Sequence, residues 1–218
     1  FRAEHMLDYG IDFELASRWL AQAAQDPSHI EARLQLARLQ EADCRFNSDL
    51  NAPAAEDILR PIAENNYPHT KLMLAELYKE YSCGDSNKAK EALKWYLSAE
   101  ADKDTDAASI LADIYNDHDD YHCILEENDI KPDRQKSYEY ALKAEDFISA
   151  ATHASEIAED YRDNKDYMNA LKWYENAINA SDNSLYSAKY YIQIAEIYDS
   201  GPADIQNTDK AFENYKQA

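Results

Sequence analysis

Residues 70–101 read TKLMLAELYKEYSCGDSNKAKEALKWYLSAEA, and this stretch decides the fold. Apolar residues recur at the spacing of one helix face on both sides of a polar break, which predicts two short helices. The break, SCGDSN at residues 82–87, offers Gly84 to close the first helix and Ser86 or Asn87 to cap the second. The residues expected to face inward are Leu74, Ala75, Leu77 and Tyr78 in the first helix and Ala89, Ala92, Leu93, Trp95, Tyr96 and Ala99 in the second.

Copies of this helix pair recur along the chain. The first-helix signature is an apolar residue and an alanine, followed three residues later by tyrosine in four of the copies. Its alanines are Ala37, Ala75, Ala112, Ala158 and Ala195, at steps of 38, 37, 46 and 37 residues. The second-helix signature, Ala-x-x-aromatic-x-x-x-Ala, recurs around Trp19, Trp95 and Trp173. Self-similarity at this period predicts an all-α fold, a right-handed α-solenoid of about five helix pairs that forms one domain over residues 1–218.

The segments LAELY, KAKEALKWYLSAEA and YMNALKWYENAINA resemble the two helices of the Sel1-like repeat family, a relative of the tetratricopeptide repeats. The resemblance covers nearly the whole chain, although alanine replaces the glycine that the family places in its first helix. It implies a scaffold that binds other proteins. Residues 55–78, AEDILRPIAENNYPHTKLMLAELY, look most like the periplasmic scaffold lipoproteins of bacterial alginate export, which implies a role in exopolysaccharide export.

The charge balance narrows the class of partner. The chain has 43 acidic and 22 basic residues, a formal net charge of -21. Such a chain does not suit nucleic-acid phosphates or an anionic membrane surface, which both attract Lys and Arg. It favours a protein partner with a basic surface. No apolar run has the length of a membrane span, so we expect no direct membrane insertion of these residues.

The cysteines and the ends of the chain bear on its compartment. Cys44, Cys83 and Cys123 are an odd number without short spacing, which predicts no disulfide framework and points to a reducing compartment. The chain begins at Phe1 without methionine and ends at Ala218 inside a predicted helix. Both ends look truncated, which leaves room for a signal peptide or a lipid anchor outside the given sequence. The compartment stays open, with the periplasm slightly favoured over the cytoplasm.

Catalytic motifs are absent from the sequence. Three scattered glycines allow no phosphate-cradling loop and no nucleophile elbow, and acid pairs are too common to single one out. We therefore predict no enzyme activity and no cofactor. Residues 117–134 interrupt the repeat as an irregular polar insertion. Its cluster of His118, Asp119, Asp120, His122 and Cys123 has zinc-ligand chemistry but lacks a second paired spacing, so no metal is assigned.

The repeat register separates core aromatic residues from candidate contacts. Trp19, Trp95 and Trp173 occupy equivalent positions and are expected to fill the core. Tyr121 and Tyr190 lie outside the register and are candidates for exposed contacts.

The register also predicts a binding surface. In tetratricopeptide-like packing, one first-helix position and the position four residues later face the concave groove. In the five copies these positions hold Arg38, Glu76, Asp113, Glu159 and Glu196, then Ala42, Glu80, Asp117, Asp163 and Ser200. Seven of these ten residues are acidic, whereas the chain average would give about two. We interpret Glu76, Glu80, Asp113, Asp117, Glu159, Asp163 and Glu196 as the partner-binding residues.

The sequence therefore predicts a non-enzymatic protein–protein interaction scaffold. Two alternatives from other classes stay open. One is a bacterial immunity protein that neutralises a secreted toxin, for which an acidic surface suits a basic effector. The other is a metal-dependent activity in the insertion of residues 117–134.

Overall fold

The computed structural model describes residues 19–46, 52–181 and 187–218, and these residues are all-α. No strand occurs in the described ranges, where residues 19–23 are also helical. The first four named helices are α1 (Ile30–Phe46), α2 (Ala52–Glu64), α3 (Thr70–Lys79) and α4 (Ser86–Ala101). The remaining helices are α5 (Thr105–Tyr115), a 3-10 turn (Asp119–Tyr121), α6 (His122–Glu127), α7 (Arg134–Lys143), α8 (Phe147–Asp163), α9 (Tyr167–Ala180), α10 (Ala188–Ser200) and α11 (Thr208–Gln217).

The chain divides into two compact units, Phe1–Ala99 and Glu100–Ala218. In the first unit α2 packs on α1 and on α3. In the second unit α5 packs on α7, and from α7 to α11 each helix packs on the next. Short connections explain the order from α7 to α11, because a helix that follows a loop of a few residues can reach only its neighbour.

Aspartate carboxylates, not hydroxyls, cap five of the named helices. The Asp85 carboxylate accepts hydrogen bonds from the backbone N–H groups of Asn87 and Lys88, at 3.0 and 3.2 Å, so Asp85 caps α4. The prediction of Ser86 or Asn87 as the cap was therefore wrong by one or two residues. Asp104, Asp133, Asp146 and Asp166 cap α5, α7, α8 and α9 in the same way. A carboxylate also suits the positive end of the helix dipole.

The residue before several of these caps is left-handed. Gly84 has φ 78°, and the corresponding residues Lys103, Glu145 and Lys165 have φ 66°, 58° and 64°. The Lys165 turn is closed by a hydrogen bond of 2.8 Å from the Asp166 N–H to the Tyr161 carbonyl. Side chains at this φ cost free energy that glycine avoids. The turns at Lys103, Glu145 and Lys165 therefore keep the left-handed conformation of Gly84 without a glycine, at a cost in backbone strain.

The core is made of the inward positions that the repeat predicted. All ten residues predicted to face inward in α3 and α4 are buried. In the second unit one buried cluster combines Tyr174 with small residues, Ala150, Ala154, Ala158 and Ala170 among them. Ser137 replaces an alanine at one such position, and its hydroxyl donates a 2.8 Å hydrogen bond to the Ala112 carbonyl. Alanine and serine let the helices approach closely, which leaves the aromatic rings to fill the remaining space.

The three tryptophans do not share one environment. Trp95 is buried at 6% exposure, as predicted. Trp173 is only partly buried and meets the Tyr138 ring edge-to-face at 5.3 Å. Trp19 is 64% exposed among the described residues, so its assignment to the core was wrong, and Ala16 of its motif lies outside them. Tyr190 is buried at 3% exposure because it belongs to the inward face of α10, so its prediction as an exposed contact was also wrong.

Residues 117–134 are more regular than their polarity indicated. They contain the 3-10 turn and α6, and Ile124 and Leu125 of α6 are buried. The segment returns to the repeat through a 2.8 Å hydrogen bond from the Asp133 N–H to the Tyr115 carbonyl. Two adjacent apolar residues are enough to fix a short helix on the rest of the unit.

Candidate functional site

The predicted acidic residues of the first unit are already engaged in part. Glu76 is half-buried and accepts a 2.6 Å hydrogen bond from the Tyr96 hydroxyl. Glu80 is exposed at the C-cap of α3. The Glu76 carboxylate therefore has an internal partner on α4, which the sequence pattern did not reveal.

A second polar network in this unit surrounds the Tyr78 hydroxyl. The Arg60 guanidinium donates to this hydroxyl and lies 2.9 Å from Glu56, while the Lys88 ammonium lies 3.0 Å from Glu56. Partial burial would raise the pKa of Glu56, but hydrogen bonds from Tyr78, Arg60 and Lys88 outweigh it and lower that pKa to about 2. Burial and the neighbouring Glu56 raise the pKa of Tyr78. The charges of this network are therefore paired within the chain.

Asp113 and Asp117 lie at the end of α5 and beyond it. Asp113 is half-buried, and this burial raises the pKa of its carboxyl in spite of the nearby His118 and His153. Asp117 is left-handed, with φ 58°, and its carboxylate accepts a 2.9 Å hydrogen bond from the His122 ring. That bond raises the pKa of His122. The Asp117 carboxylate therefore has its hydrogen-bond partner within the insertion.

Several candidate metal ligands of the insertion already have partners within the chain. The His122 ring is bonded to Asp117 and lies 3.7 Å from Glu126, and no group of three or more His, Cys, Asp or Glu in the described ranges is arranged to hold a metal. Cys123 is disulfide-bonded, as is Cys83, so its sulfur is not available as a thiolate ligand. The side chain of Cys44 lies outside the described residues. The expectation of no disulfide was wrong, because spacing along the chain does not limit which cysteines meet.

The structure brings three predicted residues together in the second unit. Glu159 and Asp163 of α8 are four residues apart and so share a helix face, and Glu196 holds the equivalent position on α10. A hydrogen bond from the Arg162 guanidinium to the Gln193 amide oxygen ties the two helices at this level. All three carboxylates are exposed. We call Glu159, Asp163 and Glu196 the acidic cluster.

The hydroxyl of Tyr174, on α9, belongs to this cluster. Burial raises the pKa of Tyr174 to about 12, Arg162 opposes that shift, and Glu159, Asp163 and Glu196 each add to it. The Tyr174 side chain is completely buried, and its hydroxyl has no hydrogen-bond partner among the described residues. A buried hydroxyl without a hydrogen-bond partner costs free energy, so the Tyr174 hydroxyl is an unusual group to find beside these exposed carboxylates.

The repeat shows what the Tyr174 hydroxyl lacks. Tyr174 follows Trp173 on α9 as Tyr96 follows Trp95 on α4, and Glu159 follows Ala158 as Glu76 follows Ala75. In the first unit the equivalent tyrosine donates to the equivalent glutamate at 2.6 Å. In the second unit that hydrogen bond is not made. The Glu159 carboxylate is consequently exposed and available to a partner.

Three lysines of the second helices lie over tyrosine rings of the first helices, a contact that was not predicted from the sequence. Their ammonium groups lie over the first-helix tyrosine rings, 4.7 Å from the Tyr78 centroid for Lys88, 4.8 Å from Tyr115 for Lys136 and 5.0 Å from Tyr198 for Lys210. Each lysine directly precedes the first small residue of its helix, Ala89, Ser137 or Ala211. Asn169 replaces lysine in the α9 copy. This recurrence was visible in the sequence, and it places a stabilising cation on three of the four rings.

Comparison of the chain with protein-family models and with curated proteins finds no match. Among the described residues, no helix is both long and apolar enough to span a membrane. A function for the candidate site therefore has to be inferred from the geometry and charge of its own residues.

Proposed function

We propose that this protein is a non-enzymatic protein–protein interaction scaffold that binds a basic partner through the first-helix face of its second unit. The observation that carries this proposal is the acidic cluster. Among the described residues, neither Glu159 nor Glu196 forms an ion pair, and Asp163 only approaches Arg162, at 3.9 Å. Unpaired like charges on one surface attract a basic protein and speed its association at low salt.

The proposed architecture is a right-handed α-solenoid of Sel1-like helix pairs. Its support is the packing of each helix on the next from α7 to α11, together with the recurrence of the same inward residues at near-constant steps. Such repeats present one residue from each first helix to a common surface. This is the arrangement in which Glu159 and Glu196 would act together on one partner.

The proposed compartment is oxidising, as in the bacterial periplasm. The disulfide form of Cys83 and Cys123 supports this assignment, because structural disulfides are rare in reducing compartments. A periplasmic scaffold of an exopolysaccharide export complex is the proposal that combines this compartment with a binding role.

The test is differential capture of a partner. The immobilised protein, its Glu159→Lys/Glu196→Lys variant and a Glu139→Lys/Glu175→Lys control are exposed to an extract of the cells that produce the chain. The control residues are exposed glutamates on α7 and α9, and reversal changes the charge equally in both variants. We expect a basic protein that the parent and the control retain and the cluster variant loses. Equal capture by both variants would show that the contact surface lies elsewhere.

The identity of the captured protein separates the two binding roles. A component of an export complex supports the scaffold, whereas a secreted toxin supports the immunity role.

A further inference from the structure

The acidic cluster contains a place for one particular cationic group. Its acceptors are the carboxylates of Glu159, Asp163 and Glu196 and the oxygen of the Tyr174 hydroxyl. The hydroxyl is the informative member, since it is buried and unpartnered while its counterpart Tyr96 is hydrogen-bonded. An unpaired buried group that persists beside exposed carboxylates marks a site that a ligand completes.

We propose that the acidic cluster and the Tyr174 hydroxyl form a subsite for an arginine side chain of the partner. This inference rests on the proposed function, because it names the residue type through which a basic partner is held.

The charge of the subsite favours a cation. The charges that act on the Tyr174 hydroxyl are those of three carboxylates and of one guanidinium, that of Arg162, so their sum is negative. Arg162 does not fill the site, because it donates to Gln193 and approaches Asp163 only at 3.9 Å. An additional positive group would therefore meet the carboxylate oxygens of Glu159 and Glu196, which form no ion pair among the described residues.

The number of acceptors favours guanidinium over ammonium. A guanidinium offers five N–H donors in a planar fork, whereas an ammonium offers three. Four acceptor groups on α8, α9 and α10 can share the donors of one guanidinium, and bidentate contact with a carboxylate adds directional strength. The hydroxyl oxygen is covered in the free protein. Binding at the hydroxyl therefore requires that the groups that cover it move when the arginine enters.

The first unit supplies the matched control. Tyr96 and Glu76 occupy the same repeat positions, but their hydrogen bond leaves no free hydroxyl. Replacement of Tyr96 by phenylalanine removes the hydrogen bond to Glu76. Replacement of Tyr174 by phenylalanine removes no internal bond and only deletes the unpaired oxygen.

The test uses a neutral-flanked peptide that contains one arginine, with citrulline at the same position as an uncharged isostere. Binding is measured by calorimetry to the full chain, the Tyr174→Phe and Tyr96→Phe variants and the Glu159→Lys/Glu196→Lys variant. We expect the parent to prefer arginine over citrulline about tenfold. We expect Tyr174→Phe to lose about three- to tenfold of the arginine affinity without change toward citrulline, and Tyr96→Phe to bind like the parent.

Thermal melting of the free variants separates binding from folding. Tyr174→Phe is expected to melt at or above the temperature of the parent, because an unpaired oxygen has been removed, whereas Tyr96→Phe melts lower. A Tyr174→Phe variant that binds the arginine peptide like the parent would overturn the subsite. If the Glu159→Lys/Glu196→Lys variant then still loses the peptide, the acidic surface of the proposed function stands without it. If that variant binds as well as the parent, both proposals fail.

Discussion

The two compact units share a helix-pair pattern, but their polar groups are paired differently. In the first unit the Tyr78 and Tyr96 hydroxyls are both hydrogen-bonded, to Arg60 and Glu76. In the second unit the Tyr174 hydroxyl has no partner, and the exposed carboxylate of Glu159 beside it forms no ion pair. The same scaffold positions therefore serve internal stability in one unit and leave acceptors available in the other.

The difference follows from a few side chains. Arg60 and Lys88 bring two cations to Glu56 in the first unit. The α9 copy has Asn169 at the position of Lys88, so Tyr161 lacks the ammonium group that lies over Tyr78. Three measurements can break or sharpen this comparison.

The largest expected effect concerns the tryptophans. Trp95→Ala is expected to lower the free energy of unfolding by about 3–5 kcal/mol, the usual range for emptying a large buried aromatic site. Trp95 is buried and its indole N–H donates a 3.1 Å hydrogen bond to Glu91, whereas Trp173 is only partly buried. Trp173→Ala should therefore cost less, in urea unfolding of each variant.

The exposed Lys172→Ala variant is the control, with an expected change of less than about 0.5 kcal/mol. Equal losses of unfolding free energy for Trp95→Ala and Trp173→Ala would contradict the difference in burial between the two tryptophans.

The next effect tests the paired network by its pH dependence. Because the pKa of Glu56 falls from 4.5 to about 2 on folding, its carboxylate stabilises the protein above pH 4.5, and this contribution is lost as the pH falls toward 2. Glu56→Gln should cost about 1.5–3 kcal/mol at pH 7, the range for hydrogen bonds to a charged group. The cost should shrink progressively below pH 4.5 in urea unfolding.

Glu159→Gln is the matched change in the second unit, where no internal partner is lost, and it should leave stability within about 0.5 kcal/mol. A cost for Glu56→Gln that does not vary with pH would show that shape, not charge, is what the network requires.

The sequence predicted the all-α class and the inward residues of two helices well, because burial and periodicity are local signals. The inward residues of α3 and α4 were read from spacing alone, and all of them are buried. The prediction was wrong for Trp19, because a motif match does not show whether other residues cover the side chain. Tyr190 was also misassigned, although its position on the inward face of α10 follows from the same periodicity.

The sequence named the residues of the acidic cluster but not the hydrogen bonds around them. The register brought Glu159, Asp163 and Glu196 to one surface, and the structure places all three near Tyr174. The register could not show that the Glu76 carboxylate is hydrogen-bonded and that the Glu159 carboxylate is not. Both glutamates follow an equivalent alanine in the repeat, and each has an equivalent tyrosine in the second helix. That distinction depends on side-chain rotamers and on neighbouring charges, which periodicity does not encode.

The smallest expected effect compares the turns that precede two second helices. Gly84 and Lys165 each lie immediately before a capping aspartate, at φ 78° and 64°. Glycine adopts this conformation without a steric penalty, whereas a residue with a Cβ pays about 1–2 kcal/mol. Lys165→Gly should therefore raise the free energy of unfolding by about 0.5 kcal/mol, since the added freedom of glycine in the unfolded chain offsets part of the gain.

Gly84→Ala should lower the free energy of unfolding by about 1 kcal/mol, although a Cβ at Gly84 would meet no atom within 4 Å. Because the space is open, a loss at Gly84 reports backbone strain alone. If urea unfolding showed Lys165→Gly to be destabilising, the Lys165 side chain would have to make a stabilising contact that outweighs its strained φ.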